Sequence, residues 1–465
     1  MFRISASTNS SSIKMIVCDN KNVKNIHNQV RNSLKLLEQY EWLINSFVLD
    51  FYDSDHWSSL PRCWQQFLDN ISPTELADWL DTDKELTNQR SEPWPLSLLA
   101  LRQSLKHLSV DRKPVTDLTC VAQYLGEDLN DNEKLRWQFD PELMSKSSKH
   151  HQSLKHVFRK HVKPKKQYEM CRLAKLSSST AQSLGVDTVL DIGSGVGHLS
   201  RYLCYNHRLT VACVDADDNL TVSARKFDEE LETAVEKMKR RQENAHHHDL
   251  SPVSPVHVTA RIAPDMDLDS FHSLLSDKLN IVNNNAELRY GVVGLHTCGD
   301  LAPVILRMFT QDPASVMINS LGCCYMKIQH HFPMSQHVSS HTWHDLTYTS
   351  TELACHAVEV YTDKLRSGEE EKLRVHSNRA VLETLLRQRS DQWSHTILKT
   401  VARSHLLSFS EYVTRATFNL VRDEGLEPFT NDELESEEVK KMLSQWWRVA
   451  VFYTLRLAFA PLIGK

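Results

Sequence analysis

The densest run of chemically loaded residues lies between Thr188 and Ser200, T-V-L-D-I-G-S-G-V-G-H-L-S. A carboxylate, Asp191, is followed by Gly193, Ser194, Gly195 and Gly197. Glycine admits φ > 0 and lets a ligand lie against bare peptide, while the start of a following helix offers unpaired N–H groups. The expectation is a tight turn that cups a ligand, with Asp191 at its mouth. A second carboxylate, Asp215, closes the apolar run 209–214, about 20 residues beyond the glycines. That is where doubly wound proteins place an acceptor for ribose hydroxyls. Asp217 and Asp218 compete for this role from the same loop. Glycines alone would fit an ordinary strand–helix turn; glycines with Asp215 point to a nucleoside-cofactor site. Two further loops carry reactive groups: His296-Thr297-Cys298-Gly299-Asp300 and Ser320-Leu321-Gly322-Cys323-Cys324-Tyr325-Met326-Lys327.

These groups need a scaffold that brings them to one edge. Val189, Leu190 and Ile192 form a short apolar run typical of a buried parallel strand, and Leu199 and Leu203 share one face of a helix behind the glycines. Apolar runs at 209–214, 256–262, 290–295 and 315–319 supply four more strands. In an open α/β sheet, ligands bind beyond the carboxyl ends of the strands. The ends at 191–197, 215–218, 296–300 and 320–327 therefore converge, with 261–265 expected near an adenine. Around this core, residues 1–25 read as a disordered start and 26–145 as a helical domain. The catalytic domain is expected at 146–335, with a flexible insertion at 240–256, and a helical region at 336–465. Ser72-Pro73 is a natural helix start, and Leu98, Leu101, Leu105 and Leu108 line one helical face. Trp57, Trp64, Trp79 and Trp94 read as core residues.

Composition narrows the function class. The chain has 465 residues, 41% of them hydrophobic and 24% charged, with a net charge of −5. No global basic field exists to hold nucleic acid, so any RNA contact must use a local patch. The strongest one is 149–166, which includes Lys165 and Lys166; a solvated helix start would look the same. The 10 cysteines form no C-x-x-C pair, and no secretory signal precedes them. This suits reduced thiols in cytosol or nucleus, and no metal site is expected; Cys323-Cys324 reads as a small buried pair at a strand end. His246-His247-His248 are neighbours that cannot face one ion well. No apolar run reaches the length of a membrane span.

The spacing acidic-x-G-x-G-x-G resembles the first motif of class I S-adenosylmethionine-dependent methyltransferases. With HVKPKKQYEMCRL, VLDIGSGVGHLSR, GLHTCGDL and LGCCYMK, the chain resembles the methyltransferase-like protein 25B family, also called ribosomal RNA adenine dimethylase domain-containing proteins. The resemblance implies an α/β, Rossmann-like doubly wound sheet with helical regions on both sides in sequence. It implies that Asp191, Gly193, Ser194, Gly195 and Gly197 hold the methionine part of S-adenosyl-L-methionine and Asp215 its ribose. His296 and Cys298 would line the site beneath the sulfonium. Lys165 and Lys166 fall in the family's Lys-Lys-x-His-Glu pattern as substrate contacts, but Tyr168 stands where histidine is usual. Related chains continue past the final apolar helix with a Leu-Asp-Arg-containing segment, which leaves open the activity of this form and membrane association of longer ones.

Transfer of an activated methyl group mainly requires an in-line nucleophile and exclusion of water. Cys324 and Tyr325 are expected to shape the acceptor pocket, and His296 or Asp300 to take a proton from the acceptor. Asp300 could equally cap the helix that follows it. The Asn-Leu-Pro-Tyr-like loop of RNA adenine dimethylases is absent, and the His-x-Cys-Gly-Asp and Cys-Cys-Tyr loops resemble transfer RNA 2′-O-methyltransferases. RNA is the leading acceptor and protein the runner-up. The rivals are a non-catalytic scaffold and, third, a dehydrogenase, which the glycine spacing disfavours. No protein partner is indicated.

Overall fold

The computed structural model describes residues 20–86, 92–109, 118, 121, 156–241, 254–279, 288–330, 332–343 and 345–464. The expected linker at 145–153, residues 1–19 and the centre of the expected insertion, 242–253, lie outside them. Five strands, β1 (Thr188–Ile192), β2 (Thr210–Asp215), β3 (Val256–Thr259), β4 (Tyr290–Leu295) and β5 (Ser315–Leu321), form one sheet in the order β3-β2-β1-β4-β5. Every pairing is parallel. The strand order reverses between β1 and β4, so the crevice for a ligand opens where those two strands end.

Parallel strands bury both faces, and alternate residues here feed two different cores. Val189, Val211, Val293 and Met317 pack with helices Pro164–Ser183 and His198–His207. Leu190, Ile192, Ala212 and Val292 pack with Phe271 and Leu275 of helix Leu268–Lys278 and with Val304, Ile305 and Met308 of helix Leu301–Gln311. Asp191 lies in the interior of β1, between Leu190 and Ile192, and turns toward the first of these faces. Register pins the edge: Asp191 pairs with Cys213 and Val293, and Leu295 pairs with Leu321. The loops leaving β4 and β5 therefore start level with each other.

The chain forms two compact units, Met1–Asn25 with Lys113–Ser335, and Ile26–Arg112 with Gln336–Lys465. The expected boundary at 145 falls outside the described residues, but the early and late helical segments, read separately from the sequence, are one body. They share a single core that includes Trp57, Trp64, Trp79 and Trp94 from the first segment and Phe452 and Phe459 from the last. Phe452 meets His56 in a stack at 5.2 Å and Phe51 edge-on at 5.6 Å. Arg456, buried in the late apolar run, donates to the carbonyls of Leu43 and Ile44 at 3.2 and 3.3 Å. Hydrophobic periodicity marks which residues are buried but not which distant segment covers them. The expected disordered start also ends early, because a helix spans Asn20–Gln39. Ser72 closes a capping box with Glu75 at the start of helix Pro73–Leu80, and Leu98, Leu101, Leu105 and Leu108 are all buried. Among the described residues no helix is long and apolar enough to cross a membrane.

Truncating Phe452 to Ala should cost about 3–5 kcal/mol. Hydrogen exchange should then speed up in Leu96–Leu108 as well as in Trp446–Leu457. Acceleration confined to the late helix would show that the two segments are independently stable.

Candidate active site at the carboxyl edge of the sheet

The turn after β1 is built on left-handed backbone. Gly193, Gly195 and Gly197 have φ of +69°, +57° and +74°, a region that L side chains rarely adopt. A Cβ at Gly195 would meet nothing within 4 Å, so conformation rather than crowding demands glycine there. The amides of Gly193 and Ser194 donate to the carbonyl of Val214 at 2.8 and 3.3 Å, and that of Gly197 donates to the carbonyl of Ser194 at 3.0 Å. Gly197 then caps helix His198–His207.

Asp215, at the end of β2, receives the Gly195 amide on one carboxylate oxygen at 2.8 Å and the Asp217 amide on the other at 3.0 Å. Its rival Asp217 instead accepts from the Asn219 amide at 2.8 Å, and both Asp217 and Asp218 are exposed. A cleft of about 570 Å³ runs from this point across the sheet edge, within the roughly 300–1,000 Å³ typical of small-molecule sites. Gly193, Asp215, His296, Cys298 and Asp300 all line it. On one side stand Ala260, Arg261, Ile262, Ala263 and Pro264, the loop expected near an adenine. Leu301, Val304 and His330 complete the wall; sequence reading gave none of these three a role.

Asp191 is not at the mouth. It is buried at 2% exposure and accepts from the Ser200 hydroxyl at 2.5 Å, with the Lys166 ammonium within electrostatic reach. Because the carboxylate sits in the strand interior, burial pushes its pKa up to about 6, and the Ser200 bond offsets only part of that. Ser194, Gly195 and Gly197 likewise form the turn without lining the cleft. A buried ion network supports the turn from behind. Arg201 donates to the carbonyl of Val196 at 2.6 Å and to Asp228 at 2.7 Å, and the other Asp228 oxygen meets His257 Nε2 at 2.5 Å. His198, packed beside Arg201, is pushed down to about 3 by burial and the neighbouring cations, so it stays neutral.

The loop after β4 opens on His296, whose φ is +68°. That is a strained conformation for histidine, of a kind that clusters at functional sites. Its Nε2 meets Glu169 Oε2 at 2.9 Å. Glu169 was missed as a site residue, because its partner is 127 positions away and no local spacing announces the pair. Lys165 is exposed and lies 3.5 Å from the other Glu169 oxygen. Lys166 is half-buried, and its charge is felt at Asp191 and His198. The basic patch is thus partly neutralised, for Lys160 also pairs with Glu230 at 2.6 Å; Lys149 and Lys155 lie outside the described residues. Asp300 occupies the N-cap position of helix Leu301–Gln311 but makes no side-chain cap bond. It accepts instead from the amides of Gln329 and His330, both at 2.8 Å, which makes it an organiser of that loop.

Cys323 and Cys324 are half-exposed, not a buried pair. Cys298 Sγ lies 2.9 Å from Cys323 Sγ, which lies 3.5 Å from Cys324 Sγ. Burial raises the Cys298 thiol, but hydrogen bonds from the other two outweigh it and leave the net shift downward. Cys323 is pushed up by burial and by both neighbours. Tyr325 begins a short 3-10 turn, Tyr325–Lys327. That turn packs on Gly299, where a Cβ would come within 2.8 Å of the Lys327 carbonyl. Cys324 and Tyr325 therefore sit beside the cleft and not in its lining.

The raised Asp191 pKa has a stability consequence. The folded state holds a proton up to about pH 6 that the unfolded chain releases near the ordinary aspartate value of 3.8. The advantage is complete below the lower value and is lost as pH rises through the upper one. Above pH 6 the buried charge costs on the order of 3 kcal/mol. Asp191→Asn should therefore be more stable than the parent at pH 8, with the gap closing at pH 4 in urea unfolding. Parallel pH profiles for the two proteins would show that Asp191 is not the titrating group.

Comparison with known proteins agrees with this architecture. Residues 159–331 match a family model described as "Methyltransferase domain". A stretch of 41 residues is 51% identical to "Probable methyltransferase-like protein 25" of Mus musculus, and an equal stretch matches the Homo sapiens protein of the same name at 51%. Each match covers 9% of this chain and 7% of the relative. No solved structure matches the chain. The Rossmann-like sheet, the glycine turn after β1 and the matched span thus coincide, and residues 159–331 form a domain similar to methyltransferase domains.

Proposed function

We propose that this domain transfers a methyl group from S-adenosyl-L-methionine to RNA. The observation that carries the reading is one cleft at the β1/β4 switch point, bounded by Gly193, the Asp215 carboxylate and the Ala260–Pro264 wall. The donor set suits a nucleoside with a cationic tail. Each Asp215 oxygen accepts one backbone bond and keeps a lone pair for a ribose hydroxyl. Ala260, Ile262 and Ala263 offer an apolar face to a base, and Gly193 leaves bare peptide beside the tail. When bound, the cofactor supplies a methyl group already activated on sulfonium.

The chain's own residues then position and deprotonate. With its proton on Nε2 and donated to Glu169, His296 has Nδ1 free to accept a proton from a hydroxyl or amine. Asp300, engaged by two amides, holds the 329–330 loop and leaves the proton transfer to His296. Asp191 acts from behind the turn through Ser200. Arg261 and His330 at the cleft wall and exposed Lys163, Lys165 and Lys327 favour an anionic acceptor such as a phosphodiester chain. The same loops would also serve a protein acceptor, which is the second reading; a scaffold that binds no cofactor is the third.

Asp215→Ala should weaken S-adenosyl-L-methionine binding by tenfold or more in calorimetry, as expected for loss of a charge-assisted hydrogen bond worth about 1.5–3 kcal/mol. No binding by the parent chain would leave the scaffold reading. Tritiated cofactor incubated with total RNA and with total protein should label RNA, and label in protein alone would reassign the acceptor. Glu169→Gln should slow transfer by roughly 10²-fold if the pair acts in proton transfer, with cofactor affinity unchanged.

A further inference from the structure

We propose that Cys298, Cys323 and Cys324 form a thiolate site for zinc at the edge of the cleft, with a fourth position left for water. The inference does not depend on the methyl-transfer reading, because it rests on how two strand ends present sulfur. β4 and β5 leave the sheet level with each other at Leu295 and Leu321. Cys298 lies three residues beyond the first, and Cys323 and Cys324 two and three beyond the second. The three sulfurs lie within 4.8 Å of one another. Cys298–Cys323 and Cys323–Cys324 are 2.9 and 3.5 Å apart.

A tetrahedral zinc ion with Zn–S bonds of about 2.3 Å separates its sulfurs by roughly 3.7–3.8 Å. Side-chain rotation of the order of an ångström therefore suffices to accept the ion. All three residues are partly exposed, so a metal can reach them. Packed thiols as mere core filler would be buried, as Cys171, Cys204 and Cys213 are.

The two loops are also held together before any ion arrives. Thr297 and Ser320 share a hydroxyl–hydroxyl bond at 2.7 Å, and the His296 amide donates to the Leu321 carbonyl at 2.9 Å. Gly299 admits the Lys327 carbonyl closer than any side chain would allow. Such preorganisation lowers the cost of collecting ligands from separate segments. Three thiolates are soft donors that select zinc over magnesium or calcium. His296 and Asp300, the nearest other candidates in the loop, are engaged by Glu169 and by backbone amides, so three protein ligands and one open position are what the geometry provides. Cys298 lines the cleft, which puts the ion at its wall.

The test uses the full chain, purified with reductant and without cofactor. One equivalent of zinc should be found by elemental analysis after dialysis. Replacing it with cobalt(II) should give the intense visible bands and thiolate-to-cobalt charge transfer of a sulfur-rich tetrahedral site. Cys323→Ser and Cys324→Ser should each lose the cobalt spectrum, and Cys63→Ser, an exposed thiol elsewhere, should keep it. Should the loop variants fold poorly, alkylation of the parent protein decides. Zinc should slow modification of the three cysteines at least tenfold, and a chelator should restore it. Absent metal, alkylation indifferent to zinc, or a Cys298–Cys323 disulfide in peptide maps of freshly reduced protein would each overturn the proposal.

Discussion

Everything at the carboxyl edge depends on a five-residue turn held in a conformation that only glycine adopts without strain. Three left-handed residues in alternation fold 193–197 back so that β1 can hand over to a helix within a few ångströms of the β2 terminus. The turn is gripped from two directions. Asp215 receives the Gly195 amide in front. Behind, Arg201 joins the Val196 carbonyl to Asp228 and so to His257 of β3. Removing two charges from water is costly unless both are well paired. Arg201 and Asp228 are 5% and 7% exposed, and their bonds to each other, to the Val196 carbonyl and to His257 meet that cost. One network thus couples the glycine turn to helix His198–His207, helix Asp218–Arg241 and β3.

Asp191 shows the opposing tendency. A carboxylate in the middle of a buried strand is unfavourable above its raised pKa, and an apolar residue there would make a better core. The nearby Lys166 and neutral His198 bear on the same small volume.

How much of this was legible in the sequence follows from the range of each interaction. The five strands, the glycine turn and Asp215 were readable because each is a local pattern: an apolar run, a φ > 0 requirement, a carboxylate at a strand end. The loops at 296–300 and 320–327 were found for the same reason. The depth of Asp191 was not, since one residue of strand register decides whether a side chain meets a ligand or the core. Glu169 was hidden because it meets His296 from a helix 127 positions away in the chain. The three clustered thiols were hidden because no C-x-x-C spacing marks them in sequence, and they come together only through the pairing of two strand ends. The union of the two helical segments was hidden by the whole sheet-bearing unit lying between them in sequence.

The acceptor side of the cleft is where strain and contact concentrate. His296 holds a left-handed φ that a glycine would adopt more easily, and nothing in the β4 ladder requires it. The conformation ends the strand just past Leu295, where the His296 amide still donates to the Leu321 carbonyl. The imidazole turns toward Glu169, and Cys298 turns toward the cleft. Gly299 then lets the Tyr325–Lys327 turn close down on the same loop, while Asp300 gathers the 329–330 amides. A rigid glycine turn on one side and a loop pair cross-braced by side chains on the other fix the two walls of the cleft, and such preorganised walls are what a group-transfer reaction needs to bring a nucleophile into line.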